Sequence, residues 1–522
     1  MLGTSFTEFV LIRSCIFVLQ YTTPICLSVL AILLVAGGRP ALTWPASLVL
    51  LAYSFIDLLY YLFVWIPYNR RLKDEARHPP SLSPEDRRAL FIKVADHISD
   101  FERYLQLWFL GADRAEIRRD NVRDFMFWAF FDTAPENATK QDIADADEYV
   151  DLFEERLGRE IEPGRGNARG LRLTLDGVET RYRSFIWFVI VGGVDLVAHC
   201  QFAWNGFQYH AQPRSEVFSV TPPRLQSIVA GNRSPSKQLA YWYRPHTAPD
   251  KVPMVFLHGI GIGLWTYVPF LSRLNRVPNR SGDIGVIAIE ILPVSFRMTS
   301  DPLGKLEFLS QLDAILDSHG WDKFVLAAHS YGTVLASHMI HSQTFNSRIQ
   351  GVVLLDPVSI MLHLPDVAYN FTRRKPRWAN EWQLWYFASM DPGVAHALGR
   401  HFFWRENIIW KEELLALPGN EDEHRNSTTR KRNVAVALSE RDLIVDTLAV
   451  ADYLADGEDW VPGKSSNRSA GAGSYEEQRG NHHSTRDGIE VLWFPGLDHS
   501  QMFDKKEDEE RVCDVIRQYC KR

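Results

Sequence analysis

Two almost purely apolar runs, residues 15–37 and 42–66, fix what the first part of this chain can fold into. Each is longer than 20 residues, and a helix of about 20 residues crosses the hydrocarbon core of a bilayer. Hydrocarbon offers no partner for backbone N–H and C=O groups, so such a segment satisfies them internally, as a helix. Gly37-Gly38-Arg39-Pro40 separates the runs and reads as a turn. The first run is too long for the apolar part of a cleaved signal, and a second follows at once. Asp57 inside the second run opposes insertion by about 3 kcal/mol, which its apolar neighbours offset. Residues 1–67 are therefore expected to form a transmembrane hairpin; the alternative is a helical pair buried in a core. The basic cluster Tyr68-Asn-Arg-Arg-Leu-Lys73 then sets this end of the hairpin in the cytosol.

A third apolar run, residues 185–204, follows Arg181 and Arg183 and carries Asp195, His199, Cys200 and two adjacent glycines. Either it crosses the membrane, which puts the rest of the chain in the lumen, or it is an interfacial or core helix, which leaves the rest cytosolic. Six Asn-x-Ser/Thr sequons, at Asn137, Asn232, Asn279, Asn370, Asn426 and Asn467, suit a lumenal placement, but such triplets arise by chance in comparable numbers. The expected location is the endoplasmic reticulum or another internal membrane.

A net charge of -7 with no long basic face excludes nucleic acid as a partner. An apolar content of 46% with 16 Trp points to lipid contact or an apolar pocket. The five cysteines show neither a disulfide framework nor a zinc ligand set, and no metal is expected. Nothing reports oligomeric state.

Residues 68–216 read as a helical connector. Ser83-Pro84-Glu85-Asp86 opens a helix expected to run through Phe101-Glu-Arg-Tyr-Leu; further helices are expected over 114–131 and 140–157, with a loop at 164–170. From about residue 217 short β-rich runs alternate with helices, the mark of a mostly parallel α/β sheet. The predicted strands are 239–243, 254–257, 285–291, 324–328, 352–355, 434–438 and 490–494, with helices at 303–319 and 333–342. Two polar stretches, 418–432 and 462–487, read as exposed insertions.

The chemistry centres on Phe324-Val-Leu-Ala-Ala-His-Ser-Tyr-Gly-Thr333, a strand, a sharp turn and a helix start with Ser330 at the turn. Ala328-His329-Ser330-Tyr331-Gly332 fits the G-x-S-x-G elbow with Ala in the first glycine position. Ahead of it lies a glycine-rich loop, His258-Gly-Ile-Gly-Ile-Gly263; behind it come an acid and then His499, after the last two strands. A dinucleotide-binding reading of Gly259 and Gly261 fails, because residue 264 is Leu.

With these motifs in this order, residues 217–522 resemble the α/β-hydrolase fold family, of the serine esterase and lipase type; residues 1–216 resemble no family we can name. The resemblance implies a mostly parallel sheet flanked by helices, with a helical lid inserted at about 357–433. It implies that Ser330 is the nucleophile and His499, in Phe494-Pro-Gly-Leu-Asp-His-Ser, the base. It places the acid at Asp442, past the penultimate strand, with Asp356, in Leu354-Leu-Asp-Pro357, as the alternative. Oxyanion donors are the backbone N–H groups of Tyr331 and Ile260, with His258, Gly259, Ala328 and Gly332 shaping the loop and elbow. No cofactor is required. His329, His338 and His341 read as packing. In the lid, Trp378, Trp382, Trp385, Tyr386, Phe387 and residues 401–410 are expected to wall an acyl pocket or touch the bilayer, and Arg373-Arg-Lys-Pro-Arg377 to meet anionic head groups. The implied reaction is hydrolysis of a lipid-like carboxylic ester; the alternatives are acyl transfer by the same triad and an inert, membrane-tethered binding protein.

Overall fold

The structure, a computed structural model, describes residues 2–277, 281–416, 432–458, 460, 462 and 481–522. Its centre is a ten-stranded sheet among the described residues. In chain order the strands are β1 (Gln208–Ala211), β2 (Asn232–Arg233), β3 (Ala240–Arg244), β4 (Met254–Leu257), β5 (Val286–Glu290), β6 (Phe324–His329), β7 (Ile349–Leu355), β8 (Asn433–Ser439), β9 (His482–Ser484) and β10 (Ile489–Phe494). They lie side by side as β2-β1-β3-β5-β4-β6-β7-β8-β10-β9. The middle of the sheet, from β5 to β10, is parallel, while β3 joins β5 and β9 joins β10 in antiparallel pairs. Parallel strands are covered on both faces, so they read as unbroken apolar runs. β4, β5 and β6 are buried at every position.

All seven predicted strands are present. β1, β2 and β9 were not expected: they are short and polar, and they gain their place by pairing with a longer neighbour rather than by an apolar pattern. β1 lies inside the stretch read as connector, so the sheet begins before residue 217. β9 lies at the end of the stretch 462–487 read as loop. Most of that stretch, and nearly all of 418–432, fall outside the described residues, as do the sequons at Asn279, Asn426 and Asn467.

The connector is helical, but the single helix expected from Ser83 to Leu105 is two, Pro84–Asp96 and Phe101–Trp108. His97 leaves the helical region, and the Asp100 carboxylate caps the second helix by accepting from the Arg103 N–H. Arg119–Phe131 and Lys140–Leu157 complete this layer. It closes over the lid: Arg103 grips Asp366 with two nitrogens, and the Trp404 indole donates to the Ala129 carbonyl at 2.9 Å.

Among the described residues three helices are long and apolar enough to cross a membrane: Phe6–Gly37, Pro45–Arg71 and Phe185–Trp204, with mean hydropathies of 2.0, 1.9 and 1.7 over an 18-residue stretch of each. The first starts well before residue 15, because Ser5 and Glu8 form a capping box. Its opening turns pack on the lid through Ile12 and Ile16, beside Ala379 and Tyr386. Asp57 is not stranded in the second helix: it accepts from the Thr23 hydroxyl and from the Phe185 N–H, tying three helices together. The third helix starts on the hairpin, where Ser184 Oγ donates to the Leu19 carbonyl at 3.0 Å. Further along, Asp195 accepts from Arg224 at 2.9 Å and Arg297 at 2.8 Å, and Phe202 stacks on Trp242 of β3 with ring centres 4.8 Å apart. Its polar face is therefore turned to the sheet.

Candidate active site

β6 ends at His329, and Ser330 takes a positive φ of 50° before the helix Gly332–Ile340 begins. A left-handed residue at this point reverses the chain sharply and lifts the hydroxyl off the strand. The turn is held by the Ser330 N–H donating to the Leu355 carbonyl at 3.0 Å and by the Thr333 hydroxyl donating to the Ser330 carbonyl at 2.6 Å. Two glycines are dictated by close approach. A Cβ at position 332 would lie 2.2 Å from the Leu257 carbonyl oxygen, and one at 259 would lie 2.8 Å from both His329 Nδ1 and Ser330 Cβ. At 328 the methyl of alanine is accommodated, fully buried, where the residue pairs with Leu257 of β4.

Three side chains join in one hydrogen-bonded line. His499 Nε2 lies 2.9 Å from Ser330 Oγ, and His499 Nδ1 lies 2.6 Å from Asp442 Oδ2. The other Asp442 oxygen accepts from the Ile444 and Val445 N–H groups at 2.7 and 2.9 Å, which fixes the carboxylate's rotation. Nδ1 thus donates to Asp442, leaving Nε2 to accept from the serine. Burial works against a charge on His499, but the Asp442 carboxylate and its hydrogen bond outweigh burial and lift the imidazole to about 9.

Asp356 does not bond the imidazole. Its oxygens accept from the Ser439 N–H (2.9 Å), the Ser439 hydroxyl (3.1 Å) and the Ser500 N–H (2.8 Å), so it clamps the end of β8 to the turn after His499. Burial, with the neighbouring Asp442 charge added, pushes its carboxyl up to about 7. Of the two acids the sequence left open, Asp442 is the one in contact with His499.

The backbone N–H groups of Ile260 and Tyr331 donate to no protein acceptor among the described residues, and both residues border the cavity at Ser330. The loop that presents Ile260 is held by His258, whose Nε2 accepts from the Ile291 N–H and whose Nδ1 donates to the Gly259 carbonyl. Burial lowers His258 to about 4, so it stays neutral in that role. His329 packs as expected, its Nδ1 2.8 Å from the Tyr267 hydroxyl, which in turn accepts from the Gly259 N–H.

Two groups of residues have metal-compatible spacing among those described: Asp356, Asp442 and His499, and Asp301, His396 and His401. In the first, both His499 nitrogens are already engaged by Ser330 and Asp442.

Asp498 and Asn380 went unnoticed in the sequence. Asp498 accepts from the Leu443 and His499 N–H groups at 3.0 and 2.7 Å, joining the turn at Asp442 to the turn at His499. Asn380, in the lid, donates to the other Asp498 oxygen at 2.7 Å. Asp498 had one available signal, its place beside His499; Asn380 had none.

The cavity at Ser330, about 410 Å³ with its open mouth included, is lined mainly by apolar side chains, among them Val358, Phe371, Leu398, Phe402 and Ile444. Of the lid aromatics, Phe402 lines it, but Trp382 and Tyr386 pack instead on the first apolar helix, with Arg13 lying 3.8 Å over the Trp382 ring. Within the basic run, Arg374 is turned inward and donates to the Leu443 carbonyl at 2.8 Å.

A family profile described as the alpha/beta hydrolase family matches residues 254–514. No curated protein matches the sequence. Similar solved structures include a membrane phospholipase A described as a novel bacterial virulence factor, with 11% identity, TM-score 0.37, and coverage of 64% of this chain and 93% of that one. A carboxylesterase from Bacillus subtilis shows 12% identity and TM-score 0.33 over 63% of this chain and 98% of that one. An esterase from Rhodococcus sp. ECU1013 shows 16% identity and TM-score 0.33 over 53% and 94%.

Proposed function

This chain belongs to the alpha/beta hydrolase family, and on that footing we propose that it is a membrane-anchored serine hydrolase cleaving lipid-like carboxylic esters. The observation that carries the reading is the line Ser330–His499–Asp442 at the edge of an apolar cavity. In this mechanism His499 Nε2 takes the Ser330 proton as the oxygen attacks the ester carbonyl. Asp442 holds the imidazole in the productive tautomer and stabilises the imidazolium. The Tyr331 and Ile260 N–H groups receive the oxyanion; one such donor contributes about 3–4 kcal/mol to the transition state. His499 returns the proton to the leaving alcohol, and water drawn in by the same base then frees the acid from Ser330.

An apolar, aromatic-lined cavity suits an acyl chain, and the two hairpin helices supply the anchor. The third apolar helix is read as lying against the body, because Asp195 is ion-paired to Arg224 and Arg297. A crossing would have to carry those charges into hydrocarbon. The two-span reading, with Arg70, Arg71 and Lys73 at its end, keeps the hydrolase body cytosolic on an internal membrane.

Labelling of membranes with a fluorophosphonate tests the nucleophile. The full chain is expected to react, and Ser330→Ala and His499→Ala to lose the label; a serine variant that labels as strongly as the parent would refute the assignment.

A further inference from the structure

We propose that a second cavity, on the far side of Tyr331 from the one at Ser330, holds a second hydrocarbon chain of an ester lipid and is entered from the bilayer beside the hairpin. This deepens the proposed ester hydrolysis and rests on it. The space here amounts to about 780 Å³ with its open mouth included. Tyr331 borders both cavities, whereas Ser330 borders only the smaller. A lipid with its scissile carbonyl at Ser330 would lay one chain against each side of the Tyr331 ring.

The inner wall is the elbow helix, through Val334 and Leu335, and the outer wall includes Val220, Leu292 and Leu303. Polar residues share the lining, among them Gln212, Gln238, Asp301 and His401, and His338 Nδ1 is buried without a partner among the described residues. Glu290 is paired with Arg224, and His338, neutral because burial lowers it to about 4, bonds Asn407 at 3.0 Å. A hydrocarbon chain would meet no unpaired charge from either.

The mouth is joined to the membrane anchor. Its rim includes Ser219, Val220, Thr299 and Ser300. Residues 221 and 298 pair across the rim, with the Thr221 N–H donating to the Met298 carbonyl at 2.8 Å. The second hairpin helix is fastened to that pairing: the Tyr60 hydroxyl donates to Met298 Sδ at 3.6 Å, and Arg71 donates to the Thr299 carbonyl at 2.6 Å. Next to the rim the body leaves large apolar side chains in the open: Phe218 at 75% exposure, Leu225 at 70% and Val229 at 82%. Water is a poor environment for such a patch. Asp195 of the third apolar helix bonds Gln226 beside it, which makes the patch continuous with that helix, whose Val189, Leu196 and Val197 are also exposed. The surface continues the hairpin's own lipid-facing surface, which is what identifies bilayer lipid as its occupant.

The test uses full-length Ser330→Ala protein in phosphatidylcholine vesicles whose lipid carries a photoactivatable diazirine in one acyl chain. Adducts are expected on the hairpin, and also on the peptides holding Leu303 and Val334–Leu335; Leu335→Trp, which fills the cavity, is expected to remove the second set and keep the first. Hairpin adducts without cavity adducts, or cavity adducts that survive Leu335→Trp, would overturn the proposal. No catalysis is needed, so this arm stands apart from the hydrolase reading. In the active chain, Leu335→Trp is expected to lower the ratio of phosphatidylcholine to p-nitrophenyl acetate turnover by about tenfold or more. An unchanged ratio counts against the cavity, whereas absence of Ser330-dependent turnover of either ester counts against the hydrolase. Val220→Trp at the rim gives the same readout if Leu335→Trp does not fold.

Discussion

Asp442 and Asp356 both lie buried beside His499, and a difference of one hydrogen bond separates their roles. Asp442→Asn is expected to cut turnover by about 10⁴-fold, because the amide reverses the imidazole's tautomer. Asp356→Asn keeps that contact and is expected to cost no more than about tenfold, a loss of positioning alone. Steady-state kinetics on a soluble ester decides between them; a larger loss for Asp356→Asn would reverse the assignment. The pH profile follows from the same groups. As the proposed base, His499 acts only when neutral, and its pKa is raised from 6.5 to about 9, so activity is expected to climb as pH rises through that window. A limb centred below 6.5 would contradict it. Stability runs the other way. A folded pKa raised above the unfolded one adds stability in full below about 6.5 that is lost as pH rises toward about 9. Asp356, raised from 3.8 to about 7, adds stability that is lost between those values. Denaturant titrations of the Asp356→Asn chain are accordingly expected to show a flatter fall across that interval. The sequence marked Ser330, His499 and both acids because each follows a strand end, where side chains leave the sheet toward a common face. It favoured Asp442 but kept Asp356 as the alternative, since both ends of adjacent strands reach the same imidazole and only ångström-scale placement separates them.

Among the elements, the strand–turn–helix at Ser330 was the most legible: an unbroken apolar strand, a left-handed turn and a glycine at the closest helix–strand approach all leave marks in composition. Gly332→Ala is expected to destabilise by about 1–3 kcal/mol, as overpacked cores do. Fluorophosphonate reactivity should fall with it, since the added methyl forces the elbow helix off β4. Thermal melting and labelling check this together; an unaltered variant would mean that the helix has slack. The short outer strands and the break at His97 were not legible, because pairing with a neighbour and a single capping carboxylate decide them against weak local preference. The partners of Trp382 and Tyr386 in the lid were not legible for a related reason. The apolar character of these two residues was plain, but which apolar partner they meet depends on a helix more than 350 residues earlier in the chain.

At the scale of the molecule, the hairpin and the hydrolase body form a single packed object. Tyr60 and Trp65 of the second helix are 6% exposed and share a core with the elbow helix and the lid. Both hairpin ends meet the body, and the third apolar helix lies along it, so the body should sit wholly on one side of the membrane. Protease added to sealed microsomes is expected to digest it from the cytosolic face, with Asn137 and Asn232 free of glycan. A glycan at Asn137 would show that the body is lumenal. Asn370 is a poor acceptor on either side, because its amide donates to the Ile444 carbonyl at 3.1 Å.

The lid is stitched at its helix Ala379–Gln383 by two contacts very distant in sequence. Leu2 donates to Gln383 across 381 residues, and Asn380 reaches Asp498 across 118. Distant contacts carry a large loop-closure entropy and form late. In time, then, the molecule should build its chemistry before its roof: sheet and elbow first, the lid last. During refolding in detergent, fluorophosphonate reactivity should appear while the lid around Trp378 is still open to chymotrypsin, with protection arriving more slowly. Simultaneous appearance would mean that the lid is part of the folding nucleus.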